Sequence, residues 1–90
     1  MAITIHRPHQ KSHDEARTLA EHVATQMASE FAMKWHWEGD VLHFERSGVS
    51  GCITVLPAEV TMQVKLGFLL SALQPKIELE IQRFLDKEFG

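Results

Sequence analysis

The sequence is poor in several features that mark large classes of protein. Its 90 residues include one cysteine, Cys52, which excludes an internal disulfide and a cysteine-rich zinc site. No apolar run approaches the roughly 20 residues that span a membrane, and the opening residues do not have the basic-then-apolar pattern of a leader. We therefore expect a cytoplasmic protein without a transmembrane segment.

Positive charge is scarce as well. Nine Lys and Arg against 12 Asp and Glu give a formal net charge of −3, and protonation of all six histidines would make it +3 (−3 + 6). A dedicated nucleic-acid binder needs positive charge at neutral pH, because much of its affinity comes from the phosphates. We expect no nucleic-acid partner.

The composition is that of an ordinary globular protein, with 44% hydrophobic and 23% charged residues. A chain of this length buries roughly 60–65% of its unfolded surface and can fold without cross-links. We predict a single domain over residues 1–90.

The first third of the chain predicts a strand and then a helix. Ile3 and Ile5 alternate with polar residues, and Pro8 ends this strand because proline cannot donate to a β-ladder. Ser12 and Glu15 have the spacing of a helix capping box. The apolar stripe of the helix that follows comprises Ala16, Leu19, Ala20, Val23, Met27 and Phe31.

From Met33 the apolar spacing drops to two, which predicts an antiparallel meander whose register is set by its turns. A two-residue turn at residues 39–40 pairs Trp37 with Leu42, Trp35 with Phe44, Lys34 with Glu45, and His36 with His43. A four-residue loop over residues 47–50 sets Phe44 opposite Ile53 and Leu42 opposite Val55. A turn around Pro57 sets Val55 opposite Val60 and Ile53 opposite Met62.

After a strand that ends before Gly67, the spacing becomes helical, with Leu70, Leu73, Ile77, Ile81 and Phe84 turned toward the sheet. Pro75 predicts a kink, or a break at which it restarts the helix. The first strand is expected to pair with the last. The predicted fold is α+β, of order β-α-β-β-β-β-α, with both helices on one face and a long C-terminal helix kinked near Pro75.

Two histidines suggest a metal. His36 and His43 oppose each other on the polar face, with Thr54 next across and Glu38 along the same strand. A site of this kind needs a third fixed ligand, so a solvated pair of histidines is favoured. We expect no metal and no cofactor.

Catalytic residues are not evident either. Residues 48–51 resemble a nucleophile elbow, but they lack its closing glycine and join two strands rather than a strand and a helix. We expect no enzyme activity. A histidine–carboxylate pair beside Ser50 or Cys52 would favour the remaining alternative, a hydrolase or acyltransferase.

Two binding surfaces are predicted. On a continuous last helix, Phe68, Ala72 and Leu79 lie opposite the buried stripe and form an apolar patch for a partner, unless the kink at Pro75 rephases the helix and buries some of them. The second is a pocket for a small acyl ligand between the sheet and this helix, lined by Trp35, Trp37, Phe44, Met62 and Leu70.

Three blocks of sequence resemble the polyhydroxyalkanoic acid system family: residues 5–9 (IHRPH), residues 37–49 (WEGDVLHFERSGV), and residues 64–73 (VKLGFLLSAL) followed by 75–78 (PKIE). The resemblance covers nearly the whole chain. It implies a small bacterial protein of the polyhydroxyalkanoate storage system that acts at the granule surface, and it supplies no catalytic residue.

The residues and the resemblance together favour a noncatalytic accessory or granule-associated protein. Its expected location is the cytoplasm, at storage granules. The expected partner is the granule surface or a granule protein, and we expect a homodimer. The alternative is the acyl-ligand binder.

Overall fold

Alternating buried and exposed residues build one five-stranded sheet, and two helices cover its apolar face. The computed structural model describes residues 2–89. In chain order the elements are strand β1 (Ala2–Pro8), helix α1 (His13–Phe31), strands β2 (Lys34–Glu38), β3 (Val41–Arg46), β4 (Val49–Val55) and β5 (Glu59–Leu66), a 3₁₀ helix (Phe68–Leu73) and helix α2 (Gln74–Phe89).

The sheet has the order β1-β5-β4-β3-β2, and every neighbouring pair is antiparallel. The predicted α+β class and element order are confirmed, as is the pairing of the first strand with the last. The four pairs predicted across the turn at residues 39–40 and the two predicted across the turn around Pro57 are also confirmed.

The predicted pairing between β3 and β4 is wrong. Leu42 lies opposite Ile53, and Phe44 lies opposite Gly51. Arg46 pairs with Val49, so the turn has two residues, Ser47 and Gly48, instead of four. Gly48 has φ +83°, a conformation that glycine adopts readily. The error is a shift by two residues, which leaves every side chain on its predicted face because side chains alternate with period two.

Phe44 faces Gly51 for a steric reason. A Cβ built on Gly51 would lie 2.7 Å from the Cζ atom of Phe44 and would also clash with the backbone carbonyl of Gln63. The aromatic ring therefore occupies the space that a side chain at residue 51 would need. A larger residue opposite Phe44, such as the predicted Ile53, would compete with the ring for this space.

Side chains form hydrogen bonds at both ends of helix α1. The Ser12 hydroxyl accepts a hydrogen bond from the Glu15 amide, as the capping-box spacing predicts. At the other end Ala32 is left-handed, with φ 55°, and the Arg46 guanidinium donates to the Phe31 carbonyl over 2.9 Å. That contact joins the end of α1 to the hairpin of β3 and β4.

The C-terminal helical segment breaks near Pro75. Of the two predicted outcomes, a kink or a break at which Pro75 restarts the helix, the structure has the break. The 3₁₀ helix occupies Phe68–Leu73, and α2 starts at Gln74 with Pro75 in its first turn. Proline is tolerated there because the first amides of a helix lack intrahelical acceptors. The Gln74 amide donates to the Ser71 carbonyl, the group that an α-helical residue 75 would otherwise use.

The break changes which side chains reach the sheet. Ile77 and Ile81 are buried as predicted, and Leu85 and Phe89 complete the buried stripe of α2. Leu70 and Phe84 are half-buried against the core, whereas Leu73, predicted to face inward, is 48% exposed. A 3₁₀ helix has three residues per turn rather than 3.6. The predicted buried stripe assumed 3.6 residues per turn throughout, so it does not describe the residues before Pro75.

Candidate functional site

The most exposed large apolar side chains belong to the 3₁₀ helix. Phe68 is 91% exposed and Leu69 is 88% exposed, and Ala72 is exposed beside them. Leu79 on α2 is 60% exposed. All three residues of the predicted patch are thus at the surface, and the break at Pro75 buries none of them. Leu69 is an exposed member that the prediction omitted.

The three-residue period of the 3₁₀ helix gives it two apolar sides. Leu70 and Leu73 are three residues apart and line one cavity. Leu69 and Ala72 have the same spacing on another side, with Phe68 next to them. We call Phe68, Leu69 and Ala72 the outer patch. Leu79 lies on the face of α2 opposite Ile77 and Ile81, because successive helical residues are about 100° apart.

Glycines hold the 3₁₀ helix against the β3–β4 hairpin. The Gly67 amide donates to the Gly48 carbonyl over 2.7 Å, and the Leu70 amide donates back to the Gly67 carbonyl over 3.0 Å. A Cβ on Gly48 would lie 3.1 Å from Cδ1 of Leu70, which is a tight contact. Glycine at residue 48 thus adopts the positive φ of the turn and leaves space for the Leu70 side chain against the backbone.

Beside this contact lies an apolar cavity of about 170 Å³. Four elements contribute its wall: the end of α1 and the residues after it, the β3–β4 hairpin, the 3₁₀ helix, and the first turns of α2. The lining residues are Phe31, Met33, Arg46, Val49, Leu70, Leu73, Lys76 and Ile77. Six of these eight side chains are apolar, and the other two are the cations Arg46 and Lys76.

Neither cation is neutralised by a carboxylate within residues 2–89. Arg46 donates to the Phe31 carbonyl, which is a neutral acceptor, and no ion pair of the described chain includes Arg46 or Lys76. Both residues are exposed, so their charged groups reach water at the edge of the cavity. The cavity therefore combines an apolar interior with uncompensated positive charge.

The five residues predicted to line an acyl pocket do not line one common cavity within residues 2–89. Phe44 and Met62 are fully buried in the core, and Trp35 and Trp37 are half-buried against it. Trp37 donates from Nε1 to Glu21 over 2.6 Å, and the Arg17 guanidinium lies 3.9 Å from its ring centre. Of the five residues, Leu70 lies on the wall of the cavity described above.

Sequence reasoning missed most of that wall. Arg46 and Val49 flank the β3–β4 turn. The prediction assigned Val49 to a four-residue loop instead of a strand, so it did not identify Val49 as part of the wall. The alternation in β4 could have identified Val49 as a buried residue, because Val49 lies on the same face of the strand as Ile53 and Val55. Nothing in the sequence pattern placed Lys76 beside the hairpin.

On the opposite face of the sheet, Glu38 bridges the two histidines. Its carboxylate oxygens lie 3.6 Å from His36 Nε2 and 3.2 Å from His43 Nε2, and the two imidazoles stack at 5.4 Å. The predicted neighbour Thr54 lies opposite Val41, not His43. Within residues 2–89, no three such side chains come together in a way that could hold a metal ion.

Cys52 lies opposite His43 in the register of β3 and β4, so a histidine–carboxylate pair does stand near this thiol. No hydrogen bond of residues 2–89 joins the Cys52 thiol to the imidazole. Ser50 lies between Glu45 and Lys65 on the neighbouring strands and lines a shallow depression together with His43 and Glu38.

A second polar cluster fastens the β2–β3 turn to α1. Asp40 Oδ1 accepts hydrogen bonds from His13 Nε2 at 2.7 Å and Arg17 Nη1 at 3.1 Å. The hydrogen bond from His13 has the largest effect and lowers the pKa of Asp40, while desolvation, the next largest effect, raises it. Attraction to His13, the hydrogen bond from Arg17 and attraction to Arg17 lower it further, so that the pKa is lowered overall. This cluster stabilises the turn.

The fold and these surfaces define a small α+β protein with an apolar outer patch and a separate cation-edged cavity. The chain belongs to the family described as "Putative polyhydroxyalkanoic acid system protein", which matches residues 3–89. Neither a curated protein nor a solved structure matches the chain. Within residues 2–89, no helix is long and apolar enough to cross a membrane.

Proposed function

We propose that this protein is a noncatalytic accessory of polyhydroxyalkanoate storage that binds the polyester surface of the granule. The outer patch makes the contact, together with Leu79 on the outer face of α2. The observation that carries the proposal is the exposure of Phe68 and Leu69, two adjacent large apolar side chains that leave almost their whole surface in water.

Exposure of this kind favours an apolar partner. Full burial of a Phe or Leu side chain contributes about 1.5–3 kcal/mol, so Phe68 and Leu69 together offer about 3–6 kcal/mol. Both precede the first turn of α2 on a short 3₁₀ helix that is tied to the hairpin by the Gly67–Gly48 hydrogen bond. The side chains are therefore presented on a fixed backbone, which limits the entropy lost on binding.

Membership of a polyhydroxyalkanoate system family supports a polyester as the partner. Polyhydroxyalkanoate granules are hydrophobic particles, and an adsorbed protein gains free energy in proportion to the apolar area that it buries. In this proposal the protein is cytoplasmic and resides at the granule. In the absence of a particle it forms a homodimer that covers the same apolar side chains.

Co-sedimentation with purified polyhydroxybutyrate particles tests the proposal. Wild type is expected to pellet with the particles, and the double variant Phe68→Ser/Leu69→Ser is expected to bind at least about 100-fold more weakly, given the burial energies above. Leu79→Glu examines the α2 side of the contact separately and is expected to weaken pelleting.

Leu56→Ser is the matched control. Leu56 is also an exposed leucine, but it follows β4 at the turn into β5, whereas the outer patch follows the other end of β5. This variant should pellet as wild type does, and circular dichroism should show that all variants are folded. Wild type that stays in the supernatant, or a double variant that pellets equally well, would overturn the proposal.

A further inference from the structure

The cavity beside the 3₁₀ helix has a chemistry that granule adsorption does not use. Its interior is formed by Phe31, Met33, Val49, Leu70, Leu73 and Ile77, and such a surface binds hydrocarbon. Arg46 and Lys76 stand at its edge without a carboxylate partner in residues 2–89. A ligand that matches both parts is an aliphatic chain with an anionic group at one end.

The size of the cavity limits the chain. An apolar protein cavity of about 150 Å³ holds one benzene molecule, so about 170 Å³ accommodates roughly six carbons. The cavity is open to solvent, which allows one end of the ligand to remain at the edge. An unbranched acid of about six to eight carbons places its tail inside and its carboxylate near the two cations.

The two cations suit a carboxylate in different ways. Arg46 donates one Nη1 hydrogen bond to the Phe31 carbonyl. A guanidinium has five N–H donors, so Arg46 retains donors for a ligand. Lys76 sits in the first turn of α2, and its ammonium group is a point charge with three donors on a flexible stem. Hydrogen bonds between charged groups are about twice as strong as neutral ones.

We infer that this cavity is a binding site for a medium-chain aliphatic carboxylate, with its tail among Leu70, Leu73 and Ile77 and its carboxylate between Arg46 and Lys76. The inference does not depend on the proposed function, because it uses the inner side of the 3₁₀ helix rather than the outer patch.

Calorimetric titration with sodium octanoate tests the site. Octanoate has ten non-hydrogen atoms, and a ligand of this size is expected to bind with a Kd of about 0.2–1 mM. 1-Octanol, which has the same tail and no charge, is expected to bind at least about 10-fold more weakly. In amide NMR spectra, octanoate should shift the signals of Val49, Leu70, Leu73 and Ile77.

Two substitutions separate the two parts of the site. Lys76→Gln removes one charge from the cavity edge and should weaken octanoate binding about 10-fold while leaving octanol binding unchanged. Leu73→Ser removes part of the apolar wall and should weaken both ligands. Lys87→Gln, which makes the same charge change near the end of α2, is the matched control and should bind octanoate as wild type does.

Several results would overturn the inference. They are an absence of calorimetric and NMR response at millimolar octanoate, equal affinity for octanoate and octanol, and equal loss of affinity in Lys76→Gln and Lys87→Gln. Binding of octanoyl thioesters without binding of octanoate would also overturn it, since the carboxylate is then not the recognised group. Arg46→Gln serves only as a supporting variant, because it also removes a contact of α1.

Discussion

At the scale of single residues, Gly51 determines the packing of the sheet centre. The Phe44 ring occupies the position where a side chain at residue 51 would lie, and a Cβ at this position would also clash with the Gln63 carbonyl. Glycine in the interior of a strand usually weakens it. Here its missing side chain provides the space for a large buried aromatic ring.

Gly51→Ala is therefore expected to destabilise the protein. The added methyl group would sit 2.7 Å from the Phe44 ring, and overpacking of this kind costs about 1–3 kcal/mol. Urea unfolding followed by tryptophan fluorescence measures the change in the free energy of unfolding.

Ser50→Ala is the control for that experiment, because Ser50 is exposed on the other face of the same strand and its substitution should change stability by less than about 0.5 kcal/mol. Equal stability of Gly51→Ala and wild type would mean that both the Phe44 ring and the Gln63 backbone can move aside at no cost.

Asp40 makes a pH-dependent contribution at the same scale. Its pKa is lowered in the folded protein from an ordinary value of 3.8, so ionised Asp40 stabilises the fold above that value, and the contribution is lost as the pH falls through the lower folded pKa. Asp40→Asn should therefore be less stable than wild type near neutral pH, and the difference should shrink in acid. Urea midpoints measured from pH 7 down to pH 2.5 test this.

The control is Glu30→Gln, which removes a carboxylate without an ion-pair partner in residues 2–89. It should show no loss of stability at neutral pH. A difference between Asp40→Asn and wild type that stays constant with pH would mean that Asp40 acts through the geometry of the turn and not through its charge.

At the scale of elements, Pro75 separates the 3₁₀ helix from α2. Its ring excludes an α-helical approach to the Ser71 carbonyl, and that carbonyl is taken by the Gln74 amide. Pro75→Ala restores the missing N–H, so we expect α2 to extend toward Gly67 and the helical signal in far-UV circular dichroism to increase.

An extended α2 would also rotate Phe68 and Leu69 relative to Ile77, because the period would change from three to 3.6 residues per turn. Lys76→Ala, which changes the neighbouring residue and keeps the proline, is the control and should leave the helical signal unchanged. An unchanged signal in Pro75→Ala would show that the contact of Leu70 with Gly48, rather than the proline, maintains the break.

How far the elements could be predicted depends on how local their determinants are. The turn at Gly39 and Asp40 is defined by its own two residues, and the pairs on either side, such as Trp37 with Leu42, follow from it. The β3–β4 register depends on the fit of the Phe44 ring over Gly51, a contact between strands that no local pattern contains. The cavity was missed for the same reason, since it joins parts of the chain as distant as Phe31 and Lys76.

Phe68, Ala72 and Leu79 are exposed as predicted, although the continuous α-helix that the prediction assumed breaks before Pro75. Leu69 was omitted because a continuous α-helix of 3.6 residues per turn places it differently from a 3₁₀ helix. The histidine pair His36 and His43 was correctly placed opposite each other. The Thr54 neighbour was misplaced by the same two-residue error in β3–β4.

At the scale of the whole molecule, the exposed apolar side chains bear on the oligomeric state. The chain has a Cα radius of gyration of 12.2 Å, and Phe68, Leu69 and Leu79 are concentrated in its C-terminal quarter. Without a particle to cover them, we expect two copies to associate through these residues. Sedimentation equilibrium should then give twice the mass of the chain, with dissociation on dilution.

Leu79→Glu should shift that equilibrium toward the monomer, because it would place a charge in the contact between copies. Leu56→Ser should leave the equilibrium unchanged. A wild-type protein that remains monomeric at every concentration would contradict the dimer without bearing on particle binding, which is measured separately by co-sedimentation.

The 3₁₀ helix has one more consequence. Leu70 and Leu73 form part of the cavity wall, while Leu69 and Ala72, on the same six residues, face outward. A molecule in the cavity and a surface against the outer patch therefore act on one short piece of backbone. Thermodynamic reciprocity requires that, if octanoate changes the affinity of the protein for a particle by some factor, the particle changes the affinity for octanoate by the same factor.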